Sequence, residues 1–128
     1  MQGFKKQVGD KGEDIAADFL KDKGYNIIQR NYRCRYGEID IIAEHDGTII
    51  FTEVRTKRTE SFGSPQGSIT SSKIDRISKT ALWYIQEKNL IEQACRFDVI
   101  AITYSKGSQK PNIIHIENAF ELSRKYMY

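Results

Sequence analysis

The fold of this chain is decided by two segments, Gly37-Glu38-Ile39-Asp40-Ile41-Ile42 and Phe51-Thr52-Glu53-Val54-Arg55-Thr56-Lys57. Both are rich in β-branched residues, which is typical of strands, and both carry a carboxylate where an apolar residue would be buried at lower cost. The dipeptide Asp46-Gly47 lies between them and is a strong signal for a two-residue hairpin turn. The segments are therefore predicted to be antiparallel neighbours, with Asp40 and Glu53 close in space.

Alternation along a strand sorts the charged side chains onto shared faces. On this pattern three residues share a face of each strand: Glu38, Asp40 and Ile42 on the first, and Glu53, Arg55 and Lys57 on the second. Crowded carboxylates repel one another, and Mg²⁺ or Mn²⁺ relieves that repulsion. Paired acids followed by cations suit metal-assisted phosphodiester cleavage. For either acid alone, the alternative is a solvated face of a half-exposed sheet.

Length and composition predict one domain over residues 1–128, since the chain has 128 residues, 39% of them hydrophobic. No apolar run approaches the ~20 residues of a membrane helix, and the N-terminus lacks the apolar core of a signal peptide. We therefore expect a cytoplasmic protein with no membrane partner. The cysteines and histidines do not have the spacing of a zinc site, and Cys95 is expected to lie in the core.

The net charge of +3 is too small to argue for nucleic-acid binding, but the basic residues are clustered. The clusters are Arg30, Arg33 and Arg35, then Arg55, Lys57 and Arg58, then Lys73, Arg76 and Lys79. Basic clusters around an acidic centre suit a phosphate backbone that passes a metal. Solvated helix and loop faces explain any one cluster equally well.

The first half of the chain is predicted to form a helix and three strands. Asp10 is expected to cap the helix, with Glu13 closing a capping box. A strand is predicted over 25–29, a polar connection over 31–36, and the hairpin strands over about 38–44 and 49–57. Residues 58–68 read as a loop, either one that closes over a substrate or a plain disordered insertion.

The second half is predicted to form a helix and two strands. The residues Thr70, Ser71 and Ser72 offer caps for the helix, and Trp83 on it is expected to pack rather than to stack on bases. Strands are predicted over 96–104 and 112–117, followed by a short helix over 119–125. The order gives a mixed sheet with helices packed on it.

The chain resembles the YraN family, a group of small bacterial proteins regarded as predicted endonucleases, along nearly its whole length. The segments that carry the resemblance are Gly12-Glu13-x-x-Ala16, Asn31-Tyr32-Arg33-Cys34-Arg35-x-Gly37-Glu38-Ile39-Asp40, Phe51-x-Glu53-Val54-Arg55, Thr70-x-x-Lys73, Arg96-Phe97-Asp98-Val99 and Asn118-Ala119-Phe120. This family is similar in fold to archaeal Holliday junction resolvases. The resemblance implies an α/β, restriction-endonuclease-like fold, a mixed sheet of about five strands flanked by helices.

The resemblance also implies a PD-(D/E)XK nuclease site, in which Arg55 takes the lysine position and Glu13 joins the hairpin acids. We assign Asp40 and Glu53 as ligands of Mg²⁺ or Mn²⁺, with the Val54 carbonyl as a third. Arginine stays protonated, so Arg55 holds the phosphate rather than acting as a base. Lys57 offers a titratable amine, and the identity of the general base stays open.

The function predicted is hydrolysis of phosphodiester bonds in nucleic acid, with DNA, including branched DNA, as the expected partner. Cutting a junction would call for a homodimer with two sites. The alternative is a non-catalytic nucleic-acid-binding or scaffold protein on a nuclease fold, because fold does not imply function. That alternative predicts that the function needs Arg30, Arg33, Arg35 and Lys73, whereas it does not need the hairpin acids Asp40 and Glu53.

Overall fold

A computed structural model describes residues 2–58, 69–105 and 107–123, and side chains from residue 11 to 57 and in the two later ranges. The elements follow the predicted order of helix, three strands, helix and two strands. Their bounds are α1 Gln2–Asp22, β1 Asn26–Cys34, β2 Gly37–His45, β3 Thr48–Arg58, α2 Ser71–Glu87, β4 Ala94–Tyr104 and β5 Pro111–Phe120.

The strands form one mixed sheet in the order β1-β2-β3-β4-β5. Only β3 and β4 are parallel, and α2 makes the crossover between them. A five-strand mixed sheet with two helices is α/β and is consistent with the restriction-endonuclease-like fold that the resemblance implies. Within the described chain, neither helix is long and apolar enough to cross a membrane.

The predicted hairpin is confirmed. Strands β2 and β3 are antiparallel, and both turn residues, Asp46 and Gly47, have positive φ, as a two-residue turn of this kind requires. The pairing runs from His45 opposite Thr48 to Ile41 opposite Thr52. Beyond Ile41 the two strands separate, which opens the sheet at the charged end of the hairpin.

The core consists of two apolar clusters, one on each face of the sheet. One cluster contains Ala16 and Leu20 of α1 together with Ile50 of β3. The other contains Ile77 of α2 and Phe51 of β3. Because successive strand residues point to opposite faces, even-numbered residues of β3 face α1 and odd-numbered ones face α2.

Gly12 allows α1 to lie close to β3. A Cβ on Gly12 would overlap the Thr56 Oγ1, and a glycine inside a helix otherwise costs about 1 kcal/mol relative to alanine. We expect Gly12→Ala to lower the free energy of unfolding, because overpacking costs about 1–3 kcal/mol and opposes the gain in helix propensity. Urea unfolding measures the change.

The same overlap gives this prediction a matched test. Removing the hydroxyl in the Gly12→Ala, Thr56→Ala double variant relieves the clash, so its stability is expected to exceed the value obtained by adding the two single effects. Strict additivity, or a Gly12→Ala variant more stable than the parent, would contradict the role given to Gly12.

Two predictions about element ends are wrong. Helix α1 begins at Gln2, so Asp10 lies inside it and is not the N-cap that a capping box requires. Strand β1 continues to Cys34, through most of the predicted connection. Cap residues and basic residues mark the end of a helix or strand only where tertiary packing does not extend that element.

The predicted helix over 119–125 is also wrong as far as it is described. Strand β5 continues to Phe120, and residues 121–123 are not helical. Phe120 pairs with Phe97 in the sheet, and their rings stack at 5.0 Å, which explains the longer strand. Residues 124–125 lie outside the described chain, as do residues 59–68 of the predicted loop, and Arg58 is the last residue of β3.

The cap of α2 is confirmed, and Trp83 packs against the Tyr36 ring near the surface. Thr70 is the N-cap, and its side-chain oxygen accepts a hydrogen bond from the Lys73 N–H. Tyr84 is buried in the core, but Trp83 is 41% exposed. Cys95, expected in the core, is exposed, because it lies at the start of β4 before the buried part of that strand.

Candidate functional site

Three carboxylates meet where β2 leaves β3. Glu13 of α1 and Glu38 and Asp40 of β2 each offer an oxygen atom, and these atoms all lie within 4.8 Å of one another. The close approach of α1 at Gly12 brings Glu13 to the sheet, and the spacing of two residues on β2 places Glu38 beside Asp40. We call these three residues the acidic cluster.

Asp40 lies at the point where the two hairpin strands separate. Its Oδ2 accepts a hydrogen bond of 2.8 Å from the Val54 N–H, which takes the place of a ladder bond in the opened sheet. Ile42 packs in the cluster under α2, whereas the Asp40 carboxylate meets Glu13 of α1. The prediction that Ile42 and Asp40 share a face is therefore wrong, because regular alternation ends where the strand bends.

The pKa of Asp40 is raised to about 7. Burial is the largest cause. The hydrogen bond from the Val54 N–H opposes it, and the nearby carboxylates of Glu13, Glu53 and Glu38 add repulsion. A carboxylate held so unfavourably is one that a cation would stabilise.

Without divalent metal, Asp40 is expected to lower stability as pH rises. The folded protein binds a proton at Asp40 more tightly than the unfolded chain does, so stability falls between pH 3.8 and about 7 and stays lower above that range. Asn at this position keeps an oxygen acceptor for the Val54 N–H and carries no charge. Asp40→Asn should therefore melt above the parent at pH 8 in EDTA, and the difference should shrink towards pH 4. Equal melting temperatures of the parent and Asp40→Asn at both pH values would contradict the raised pKa of Asp40.

Glu53 lies on the α2 face, beside cations rather than in the acidic cluster. Its Oε1 is 2.9 Å from the Lys73 Nζ, and its Oε2 is 3.6 Å from the Arg55 Nη1. Glu53 still lines the same small cleft as Glu38 and Asp40. The structure thus brings the two hairpin acids to one cleft from opposite faces of the sheet, and the assignment of Glu53 and the Val54 carbonyl as metal ligands stays a prediction.

Arg55 has donor groups ready for an anion. Its guanidinium is largely buried, and its Nε and Nη1 have no hydrogen-bond partner among the described residues. Leaving buried donors unsatisfied costs stability. Oxygen atoms of a bound anion such as a phosphate would supply acceptors for such donors.

The predicted nucleic-acid-binding residues have different partners in the structure. Arg30 Nη2 lies 2.7 Å from Asp14 Oδ1 and 3.8 Å from Glu13 Oε1, and Arg33 Nε lies 2.6 Å from Glu38 Oε2. The remaining ones are placed as follows: Arg35 beside the Tyr36 ring, Lys73 on Glu53, Arg76 exposed on α2, Lys57 on β3, and Arg58 at the end of β3 with a side chain that is not described.

Two members of the site were not predicted in their observed roles. The sequence pattern predicts only that Glu38 shares a face with Asp40, whereas the structure places it in the acidic cluster. Its position two residues before Asp40 is the sequence signal for this. Nothing in the sequence pairs Lys73 with Glu53, because that contact depends on how α2 crosses the sheet.

A second group of charged side chains surrounds Asp98 of β4. Asp98 is completely buried and accepts hydrogen bonds from the Arg96 guanidinium, the His115 Nε2 and the Asn118 N–H. Burial favours the neutral acid, but these donors outweigh it and lower the pKa of Asp98. Arg96 also donates a hydrogen bond to the Tyr25 hydroxyl, so the Asp98 network joins β4 and β5 to the residue that precedes β1.

Comparison with known proteins adds a family to this geometry. Residues 12–102 match the model of an uncharacterised protein family, UPF0102. A UPF0102 protein of Sulfurihydrogenibium sp. is 52% identical over 118 residues, which cover 92% of this chain and 97% of that protein. Relatives in Geobacter metallireducens and Clostridium novyi are 47% and 46% identical over 92% and 94% of this chain. The chain therefore belongs to the UPF0102 family, which is the YraN family of the predicted resemblance.

Proposed function

We propose that this protein is a divalent-metal-dependent nuclease that hydrolyses phosphodiester bonds in DNA. The observation that carries the proposal is the convergence of Glu13, Glu38 and Asp40 from a helix and a strand, with oxygen atoms within 4.8 Å of one another. Because three carboxylates in one place repel one another, such an arrangement costs stability unless a cation neutralises it.

The residues of the site fit Mg²⁺ or Mn²⁺. All three members of the acidic cluster offer carboxylate oxygens, the ligands that these hard cations prefer. The raised pKa of Asp40 means that its negative charge is unfavourable in this site, and a bound cation would stabilise that charge. When bound, such a cation would act as a Lewis acid on the phosphate and lower the pKa of a water molecule.

The chain's own residues would then hold and orient the substrate. Arg55 would donate two hydrogen bonds to the phosphate and stabilise the negative charge that develops in the transition state. Glu53 would fix the Arg55 side chain through its 3.6 Å ion pair. Asp40 would hold the cation together with Glu13 and Glu38 of the acidic cluster, and Glu53 and the Val54 carbonyl would be further ligands from β3.

A cleavage assay tests the proposal. Labelled duplex, single-stranded and four-way-junction DNA are incubated with the protein in Mg²⁺, in Mn²⁺ and in EDTA. We expect internal cleavage of at least one substrate in metal and none in EDTA. Intact DNA in every condition, together with DNA binding that does not depend on metal, would contradict a nuclease.

That contrary result would support a non-catalytic nucleic-acid-binding protein. One observation favours this second function: cations of the chain already lie on the acids, Arg33 on Glu38 and Lys73 on Glu53. These pairs neutralise part of the negative charge without any metal. If the protein has this second function, Arg33→Ala and Lys73→Ala would weaken DNA binding, whereas Asp40→Asn would leave DNA binding unchanged.

A further inference from the structure

An exposed aromatic pair lies between the start of β2 and helix α2. Tyr36, in the turn between β1 and β2, is 37% exposed, and Trp83 of α2 is 41% exposed. Their ring centroids are 5.9 Å apart, and the rings meet edge to face at 64°. Two large aromatic side chains left in contact at the surface form a site that other planar groups can join.

Two cations border the Tyr36 ring. The Arg35 Cζ lies 5.5 Å and the Lys79 Nζ 5.6 Å from its centroid. Among the ion pairs of the described residues, neither cation has a carboxylate partner. We call Arg35, Tyr36, Lys79 and Trp83 the aromatic–basic patch. Its free positive charges are complementary to phosphate groups, and its rings are complementary to bases.

The patch is close to the acidic cluster along the chain. Tyr36 is two residues before Glu38 and four before Asp40, so a rise of about 3.3 Å per strand residue places it within about 13 Å of Asp40 along β2. The patch and the acidic cluster are therefore within reach of one bound polynucleotide strand.

We propose that the aromatic–basic patch binds a single-stranded segment of DNA, with bases stacked on Tyr36 and Trp83 and phosphates held by Arg35 and Lys79. This inference rests on the proposed function, whose substrate it narrows to DNA with unpaired bases. Bases in a duplex present their faces to one another, so only an unpaired strand can use the exposed rings. A purely apolar partner would leave the two cations without a counter-charge.

Tryptophan fluorescence tests the proposal directly, because Trp83 is the single tryptophan of the whole chain. The protein is titrated in EDTA with an oligothymidylate of about 20 nucleotides and, separately, with a duplex hairpin containing the same number of nucleotides. We expect saturable quenching by the single strand and at least tenfold weaker apparent binding of the hairpin. Equal binding of both, or no quenching by the single strand, would overturn the proposal.

Variants separate stacking from charge. Tyr36→Leu removes the ring but keeps an apolar side chain, and it should weaken single-strand binding by about tenfold or more, whereas Tyr36→Phe should bind as the parent does. Ile91→Ala serves as the control, since Ile91 is 75% exposed and outside the patch. An unchanged affinity in Tyr36→Leu would overturn the stacking, and because Tyr36 is exposed, this substitution leaves the core intact.

The fluorescence titration and the cleavage assay test the two proposals separately, because either can fail while the other succeeds. Quenching by single strands without cleavage of any DNA would keep the patch and remove the nuclease. Cleavage of duplex DNA with no response of Trp83 to single strands would keep the nuclease and overturn the patch.

Discussion

The Asp40→Asn variant is expected to lose DNA cleavage by about a thousandfold or more. Lewis-acid stabilisation of a phosphoryl transition state is worth several kcal/mol, and each 1.36 kcal/mol is a factor of ten in rate. Asn keeps an oxygen acceptor for the Val54 N–H, whose 2.8 Å bond to Asp40 joins the separating strands, but it removes the buried charge. The fold should therefore survive while the site loses its metal.

A matched control is available on the same strand. Glu44 is exposed near the other end of β2, so Glu44→Gln also removes one acid and should cleave at the parental rate. DNA binding in EDTA should be equal in all three proteins. Parental cleavage by Asp40→Asn would remove the acidic cluster from the mechanism, and an equal loss in Glu44→Gln would show that net charge rather than position decides the rate.

The Asp98→Ala variant is expected to be less stable than the parent by about 3–5 kcal/mol, the cost of breaking a buried ion pair by removing one partner. The substitution leaves the Arg96 guanidinium, the His115 ring and the Asn118 N–H without their acceptor. The free energy of unfolding of a small domain is only about 5–15 kcal/mol, so Asp98→Ala would remove a large part of it. Urea unfolding at pH 7 measures the change.

Asp18 of α1 provides the control, because it is an exposed acid and Asp18→Ala should change stability by no more than about 0.5 kcal/mol. The lowered pKa of Asp98 means that its stabilising effect is present above the pKa of an unfolded carboxyl and is lost as pH falls through the lower, folded value. Asp98→Ala should therefore approach the parent in acid. An equal effect of the two alanine variants would show that the Asp98 network contributes little.

Much of the sheet could be predicted because local chemistry and packing agree. The Asp46-Gly47 turn, the alternation of β3 and the Thr70 cap each favour one structure, and each is observed. The end of the chain could not be predicted in the same way. The residues from Ala119 onwards suit a helix locally, but the stacking of Phe120 on Phe97 extends the strand instead, and that contact joins elements distant in the sequence.

The candidate site could likewise be predicted only in part. The sequence places Asp40 and Glu53 on neighbouring strands, and both line one cleft. It does not show that β2 bends away at Asp40, and this bend is what turns Asp40 towards Glu13 and leaves Glu53 with Lys73. Contacts between a helix and a sheet depend on the whole packing, so the pairing of Lys73 with Glu53 could be identified only from the structure.

The most direct test of the central claim, that the acidic cluster holds a divalent cation, is thermal unfolding with and without Mn²⁺. The parent and Asp40→Asn are melted at pH 8 in EDTA and in excess Mn²⁺. A ligand at about 100 times its Kd stabilises by about 2.7 kcal/mol, which moves the midpoint of a domain of this size by several degrees. The account predicts this rise in the parent and none in Asp40→Asn. An unmoved parent, or an equal rise in both proteins, would contradict it.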